Sequence, residues 1–259
     1  MAPTVPIFSG VAVPLVTIFQ ANGDVDARAT GELAARLIDA GVKGVVVADS
    51  WGEGPSLTPD ERLAVIDGVR AAVPDSSGVP LIAATGAPSA RQAIQLTRAA
   101  VDHGVEAVLV HSPPLSSDPE MYFHEVAKAA DGAAVIAVHD PHVSWPGLDL
   151  PDVVDLPIAA LEDNSGDAEH LLESIIVFDG AVYTGSTPML ALAGPAGATG
   201  AIAALANADP EACSAAFGGD GPAQRRLLRE DVAIRTDFPG RLKVLTAHRF
   251  GMSTATRMG

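Results

Sequence analysis

The sequence predicts an α/β fold, a single closed (β/α)8 TIM barrel with a short C-terminal helical extension, and three observations carry that expectation. Short apolar runs alternate with helix-like stretches that open on capping residues, which is the pattern of repeated βα units. Eight such cycles fit in 259 residues, close to the roughly 250 residues of a one-domain barrel. No Gly-x-Gly-x-x-Gly follows the first apolar run, which disfavours the doubly wound open sheet. The expected division is the barrel over 1–209 and the extension of the same domain over 210–259.

Val11 to Thr17 is the first strand candidate, and Asn22-Gly23-Asp24 the turn after it. Asp26 is placed to cap a helix from Ala27 to Ala40, and Gly41 to stop it. Gly44 to Ala48 does not alternate, as expected of a strand buried on both faces. Thr58-Pro59-Asp60-Glu61 is a capping box with proline at the first helical position, opening a helix to about Val73. Leu81 to Ala84 is strand three, and Ser89 caps the helix that ends at Gly104. Ala107 to Val110 leads to His111 as strand four, and a helix follows from Pro119 to Ala130. Ala133 to Val138 leads to His139 and Asp140 as strand five. Ile158 to Leu161 leads to Glu162 and Asp163 as strand six, ahead of an Asn/Ser/Gly/Asp turn. Ala181 to Tyr183 and Ala198 to Ala203 complete the eight, with helices expected at 210–217, 223–234 and 241–250.

The net charge of −16 argues against nucleic acid or an anionic membrane surface as partner. The lone cysteine, Cys213, permits no internal disulfide and fits a reducing compartment. The N-terminus lacks a signal-peptide layout, and no apolar run approaches the ~20 residues of a membrane span. A cytoplasmic location is expected.

Several stretches resemble the dihydrodipicolinate synthase/N-acetylneuraminate lyase family. Gly10 to Phe19 is similar to the family's opening strand, and Gly52-Glu53 with Ser56-Leu57-Thr58 and Glu61-Arg62 to its Thr-Gly-Glu…Ser-Leu-Thr…Glu-Arg signature. Val182 to Ser186 and Gly197 to Pro210 echo its last two strands. Glu162-Asp163-Asn164-Ser165-Gly166-Asp167 resembles the sixth-strand Lys-Asp-Ser-Ser-Gly-Asp, whose lysine forms a Schiff base with pyruvate. The resemblance implies a lyase-type enzyme, a small-molecule substrate, and a homo-oligomer, dimer or tetramer.

The site departs from the family residue by residue. Glu162 stands where the lysine belongs, and a glutamate forms no imine. The paired threonines that bind the pyruvate carboxylate correspond to Ser50-Trp51. The fourth-strand Pro-Tyr-Tyr is Pro113-Pro114-Leu115, and the fifth-strand Tyr-Asn is His139-Asp140. The substrate-binding arginine is absent from His142 to Gly147. Only three lysines exist, Lys43, Lys128 and Lys243, and none is placed to supply the desolvated amine that imine chemistry needs.

The expected mouth carries Asp49, Ser50, Glu53, His111, His139, Asp140, Glu162, Asp163 and Tyr183, with Asp49, Ser50, Trp51, Glu53 and Tyr183 as substrate-binding residues and His139, Glu162 and Asp163 as the catalytic set. A His139/Glu162 pair suits acid–base chemistry on a small carbonyl or carboxylate compound. Like-charge proximity to Asp163 is expected to raise the pKa of Glu162. No cofactor is expected on this reading. A second reading makes His111, His139 and Glu162 ligands of a divalent metal that polarises a carbonyl. A third is a non-catalytic ligand-binding barrel. The added carboxylates favour a neutral or cationic ligand over a dicarboxylate.

Overall fold

The structure, a computed structural model, describes residues 5–113 and 118–259. Pro114 and Leu115 therefore lie outside the described residues. Eight parallel strands pair in chain order and close on themselves. They are β1 (Gly10–Pro14), β2 (Val45–Val47), β3 (Leu81–Ala84), β4 (Ala107–His111), β5 (Ala134–His139), β6 (Ala160–Asp163), β7 (Ala181–Thr184) and β8 (Gly200–Ile202). Between them run α1 (Ala27–Asp39), α2 (Pro59–Ala72), α3 (Ala90–Asp102), α4 (Pro119–Ala130), α5 (Leu150–Val153), α6 (Ala168–Val177) and α7 (Leu190–Ala196). After β8 come α8 (Pro210–Phe217), α9 (Gly221–Thr236) and α10 (Gly240–Phe250).

The helix starts form where the capping residues place them. Asp26 accepts the Ala29 N–H, Ser89 accepts that of Gln92, and Thr58 and Glu61 make a reciprocal capping box. Each satisfies donors that the first turn leaves free, a contribution of about 1 kcal/mol per cap. The four-residue α5 and the short α7 carry too little periodicity to be read from sequence.

The sixth strand lies two residues later than its apolar run suggests. Glu162 pairs with Val138 and Tyr183, and Asp163 with His139 and Thr184. The carboxylates are strand residues rather than loop residues, so strand alternation decides which way each points.

The barrel interior is filled by Ala12, Val46, Ile82, Leu109, Ile136, Val138, Ala160, Tyr183 and Ile202. Phe8 plugs the end below β1. Its ring stacks on that of Tyr183 at 4.2 Å, and its backbone carbonyl accepts the Tyr183 hydroxyl at 3.0 Å. A second core packs the helices on the outer strand faces, with Leu33, Leu37, Ile66, Phe123, Leu161 and Leu227 among its members. Helices α1 and α2 meet almost backbone to backbone. A Cβ on Gly31 would lie 2.1 Å from the Gly68 carbonyl oxygen, and one on Gly68 2.2 Å from that of Ala27. Among the described residues no helix is long and apolar enough to cross a membrane.

Candidate functional site

Alternation along β6 sends Ala160 and Glu162 into the barrel and Leu161 and Asp163 outward. The Glu162 side chain is 5% exposed and no described group donates a hydrogen bond to it. Its carboxyl lies against Gly185, where a Cβ would come within 2.4 Å of Oε1 and 2.8 Å of the Asn164 Oδ1. The bare glycine at the exit of β7 makes room for the acid. Burial, then the charges of Asp49, Asp140 and Asp163, push Glu162 well above the usual carboxylate range.

Three further groups share this mouth. Asp49 is buried at the exit of β2, following Ala48, whose positive φ of 58° turns the chain. Its carboxylate lies 3.5 Å from the Ser50 hydroxyl and interacts electrostatically with Arg62, and Ser50 itself is exposed on the rim. Asp140 is held firmly. Its Oδ1 accepts the N–H groups of His142 and Val143, and its Oδ2 the Asn164 amide at 2.9 Å. His111 follows the inward residues Ala107 and Leu109 on β4, so the same alternation turns it inward. The sequence leaves that direction open.

His139 is not in the mouth. The sequence places it beside Glu162, but the inward neighbours of Glu162 from β5 are Val138, in register, and Asp140. His139 points outward instead and stacks on His170 of α6 with ring centroids 3.8 Å apart. Its Nδ1 lies 3.0 Å from the Leu148 N–H and 2.9 Å from the Leu148 carbonyl oxygen. Burial, and then the charge of His170, hold the His139 pKa below its usual value.

Asp163 belongs to this outer cluster as well. Its Oδ2 lies 2.7 Å from His170 Nδ1, and its Oδ1 accepts the backbone N–H and hydroxyl of Ser165. Burial works to raise its pKa, but the hydrogen bonds from His170 and Ser165 outweigh burial and the carboxyl lies below its ordinary range. The hydrogen bond to Asp163 raises His170 in turn. With both oxygens engaged, Asp163 organises the turn into α6 rather than meeting a substrate. Sequence reasoning missed His170. Its one signal is that it stands at the third position of the helix opened by the turn after Asp163.

Three expected substrate-binding residues also lie elsewhere. Trp51 turns outward and packs edge-on against Phe238, with ring centroids 5.3 Å apart. Glu53 is fully buried and ion-paired with Lys243 at 2.6 Å. Tyr183 points into the interior, where its hydroxyl is used by Phe8 at the opposite end from the mouth. Of the expected mouth residues, the structure brings together Asp49, Ser50, His111, Asp140 and Glu162, and adds Asn164.

The lysines are all distant from Glu162. Lys43 lies beside Gly10 at the N-terminal rim, Lys128 pairs with Glu125 on α4, and Lys243 is sealed against Glu53. The proposed His111/His139/Glu162 metal set does not assemble, because His139 and Glu162 are on opposite faces of the sheet. Among the described residues no group of three His, Cys, Asp or Glu side chains is arranged to hold a metal ion.

The dihydrodipicolinate synthetase family model matches residues 7–218. The chain belongs to that family. An uncharacterized DapA-like lyase of Halobacterium salinarum is 34% identical over 212 residues, covering 78% of this chain and 68% of the relative. The 4-hydroxy-tetrahydrodipicolinate synthase of Corynebacterium urealyticum is 33% identical over 205 residues, 76% of this chain and 68% of that one. The crystal structure of dihydrodipicolinate synthase DapA-2 from Bacillus anthracis superposes with a TM-score of 0.85 at 27% identity, covering 98% of this chain and 92% of the other. The family is one of lyase-like enzymes, and this chain carries its barrel around a mouth of carboxyl groups.

Proposed function

We propose that this member of the dihydrodipicolinate synthetase family is a lyase-like enzyme that works on a small carbonyl compound without a lysine imine, using Glu162 as a neutral carboxylic acid. The observation that carries the reading is the Glu162 carboxyl itself: inward, buried, without a donor, and pushed well above the ordinary range. A carboxyl kept protonated near neutral pH donates a hydrogen bond, and ultimately a proton, to a carbonyl oxygen as negative charge develops there. Asp49, at the same mouth with a long contact to the Ser50 hydroxyl, serves as the base. A carboxyl whose pKa is raised, beside a second carboxyl group at the same mouth, supplies the two partners of acid/base chemistry.

For a β-hydroxy carbonyl substrate the electrons then balance as follows. Asp49 takes the hydroxyl proton and the O–H electron pair forms a new carbonyl as the carbon–carbon bond breaks; the pair of that bond forms the enol double bond, the original carbonyl π pair moves onto its oxygen, and that oxygen takes the proton of Glu162. Asp140, fixed by three donors, shapes the opposite wall. With no lysine or arginine beside Glu162, the mouth suits a ligand that is neutral or cationic beyond its carbonyl. A homo-oligomeric state, dimer or tetramer, is part of the same proposal.

The test is solvent exchange of the α-protons of pyruvate, hydroxyacetone and aminoacetone in heavy water, followed by NMR. The wild type is expected to catalyse exchange for at least one of them, and Glu162→Gln and Asp49→Asn to lose roughly 100-fold or more. Borohydride with each compound is expected to leave the protein mass unchanged. A trapped lysine adduct would sink the reading, as would exchange that survives in Glu162→Gln. Exchange of none of the three would favour a barrel that holds its ligand without chemistry.

A further inference from the structure

The chain beyond α10 does not drift away from the barrel. It returns to the mouth side and runs against the loops that follow β1 and β2. Arg257 and Met258 donate their backbone N–H groups to the Glu53 Oε2 at 2.7 and 2.8 Å. The other Glu53 oxygen faces Lys243 of α10 at 2.6 Å, and Lys243 also donates to the Ala255 carbonyl at 2.7 Å. The Arg257 guanidinium grips Glu61 with both terminal nitrogens, at 2.6 and 2.9 Å. It also reaches the carbonyls of Gly23 and Ser56. The Phe19 ring meets both cations, with Lys243 Nζ 4.2 Å and the Arg257 guanidinium 4.6 Å from its centre. The Arg257 contact lowers Glu61 to about 2.

Glu53 sits four residues after Asp49 in the loop that carries the mouth's carboxylate and Ser50. It adopts a positive φ of 55°, a conformation that a β-carbon disfavours and that persists only where its surroundings hold it. Thr17 and Arg62 bind the carbonyls of Gly52, Gly54 and Ala48 in this loop. Among the described residues, the carboxylate of Glu53 is reached only from the C-terminal region, by Lys243 and the backbone of Arg257 and Met258.

We propose that the tail from Ala255 to Met258 is the positioning element of the β2–α2 loop, with Glu53 and Arg257 as positioning residues that hold Asp49 and Ser50 at the mouth. Neither residue touches the ligand. They act by fixing the loop that does. The consequence for a bound ligand rests on the proposed function above, whereas the mechanical claim does not.

The experiment is backbone hydrogen exchange on the full chain, comparing wild type, Arg257→Ala and Arg257→Lys over peptides covering 49–57, 107–111 and 134–139. In Arg257→Ala the loop peptide is expected to exchange on the order of tenfold faster while the strand peptides keep their protection, because local opening costs less than global unfolding. Arg257→Lys retains the charge without the two-pronged grip on Glu61 and is expected to fall between the two. Where α-proton exchange is measurable, Arg257→Ala is expected to raise KM with kcat little changed. A loop peptide protected as in wild type, while residues 251–259 exchange freely, would overturn the proposal. So would a loss of protection spread evenly over loop and strands. Because exchange of the loop needs no turnover, a catalytically silent protein leaves this test intact. Should Arg257→Ala fail to fold, Arg257→Lys and Glu53→Gln carry the same comparison.

Discussion

Replacing Glu162 by glutamine isolates the group on which the proposed function rests, and the pH dependence of stability is its clearest readout. Burial, Asp49, Asp140 and Asp163 raise the Glu162 pKa in the folded protein, while the unfolded chain releases that proton near the ordinary value of about 4.3. The folded state therefore holds a proton that the unfolded state has lost. Its contribution is complete below the unfolded pKa and is lost as pH rises through the folded one. Glutamine copies the protonated side chain and releases nothing. The variant and the wild type should thus be equally stable in acid, and the variant should gain by up to about 1.4 kcal/mol per pH unit until Glu162 ionises in the folded state. At roughly 2–4 °C per kcal/mol for a chain of this size, that is about 3–6 °C per pH unit in Tm. Urea unfolding of both proteins from about pH 5 to about pH 8 measures the difference directly. Stability curves that run parallel across the range would refute the reasoning, since Glu162 would then titrate alike in both states. Asp49→Asn removes one of the neighbouring charges and should move the point of levelling to lower pH.

Three other outcomes follow from named contacts. Lys243→Met leaves Glu53 buried with only its two backbone donors and should cost about 3–5 kcal/mol, whereas Lys243→Met with Glu53→Gln should lie closer to wild type; additive losses in urea unfolding would contradict this. Gly68→Ala puts a methyl group against the Ala27 carbonyl and should cost about 1–3 kcal/mol by thermal unfolding; an unchanged Tm would mean that α1 and α2 part easily. His170→Ala should cost roughly 1.5–3 kcal/mol for the lost charged hydrogen bond. His170, raised, contributes below its ordinary pKa and fades as pH climbs through the folded value. Asp163, lowered, contributes above its own and fades as pH falls through the folded value. The deficit should therefore be largest between about pH 4 and pH 6.5, and a deficit independent of pH would show that the pair is not ionic.

The barrel was legible because its signals are local. Asp26, Thr58 and Ser89 announce helix starts through chemistry that acts over three residues, and unbroken apolar runs such as Ala107 to Val110 announce strands buried on both faces. The site was less so, since facing depends on alternation counted from the true strand bounds. Extending strand six by two residues left Glu162 inward but turned its neighbour Asp163 away. The motif comparison set His139 opposite Glu162, yet the register puts Val138 there, and one residue of offset moves an imidazole to the other side of the sheet. Glu53 and Tyr183 misled for another reason. Each stands in or just after a strand on the way to the mouth, but their partners, Lys243 and Phe8, are too distant in sequence for any motif to reveal.

Phe8 has a bearing on traffic through the molecule. With its ring laid on Tyr183 and both its backbone groups held by the Tyr183 hydroxyl, the lower end of the barrel is stoppered. On the proposed function, substrate and product both pass by the mouth, because packed side chains fill the barrel below Glu162, and product should therefore compete with substrate.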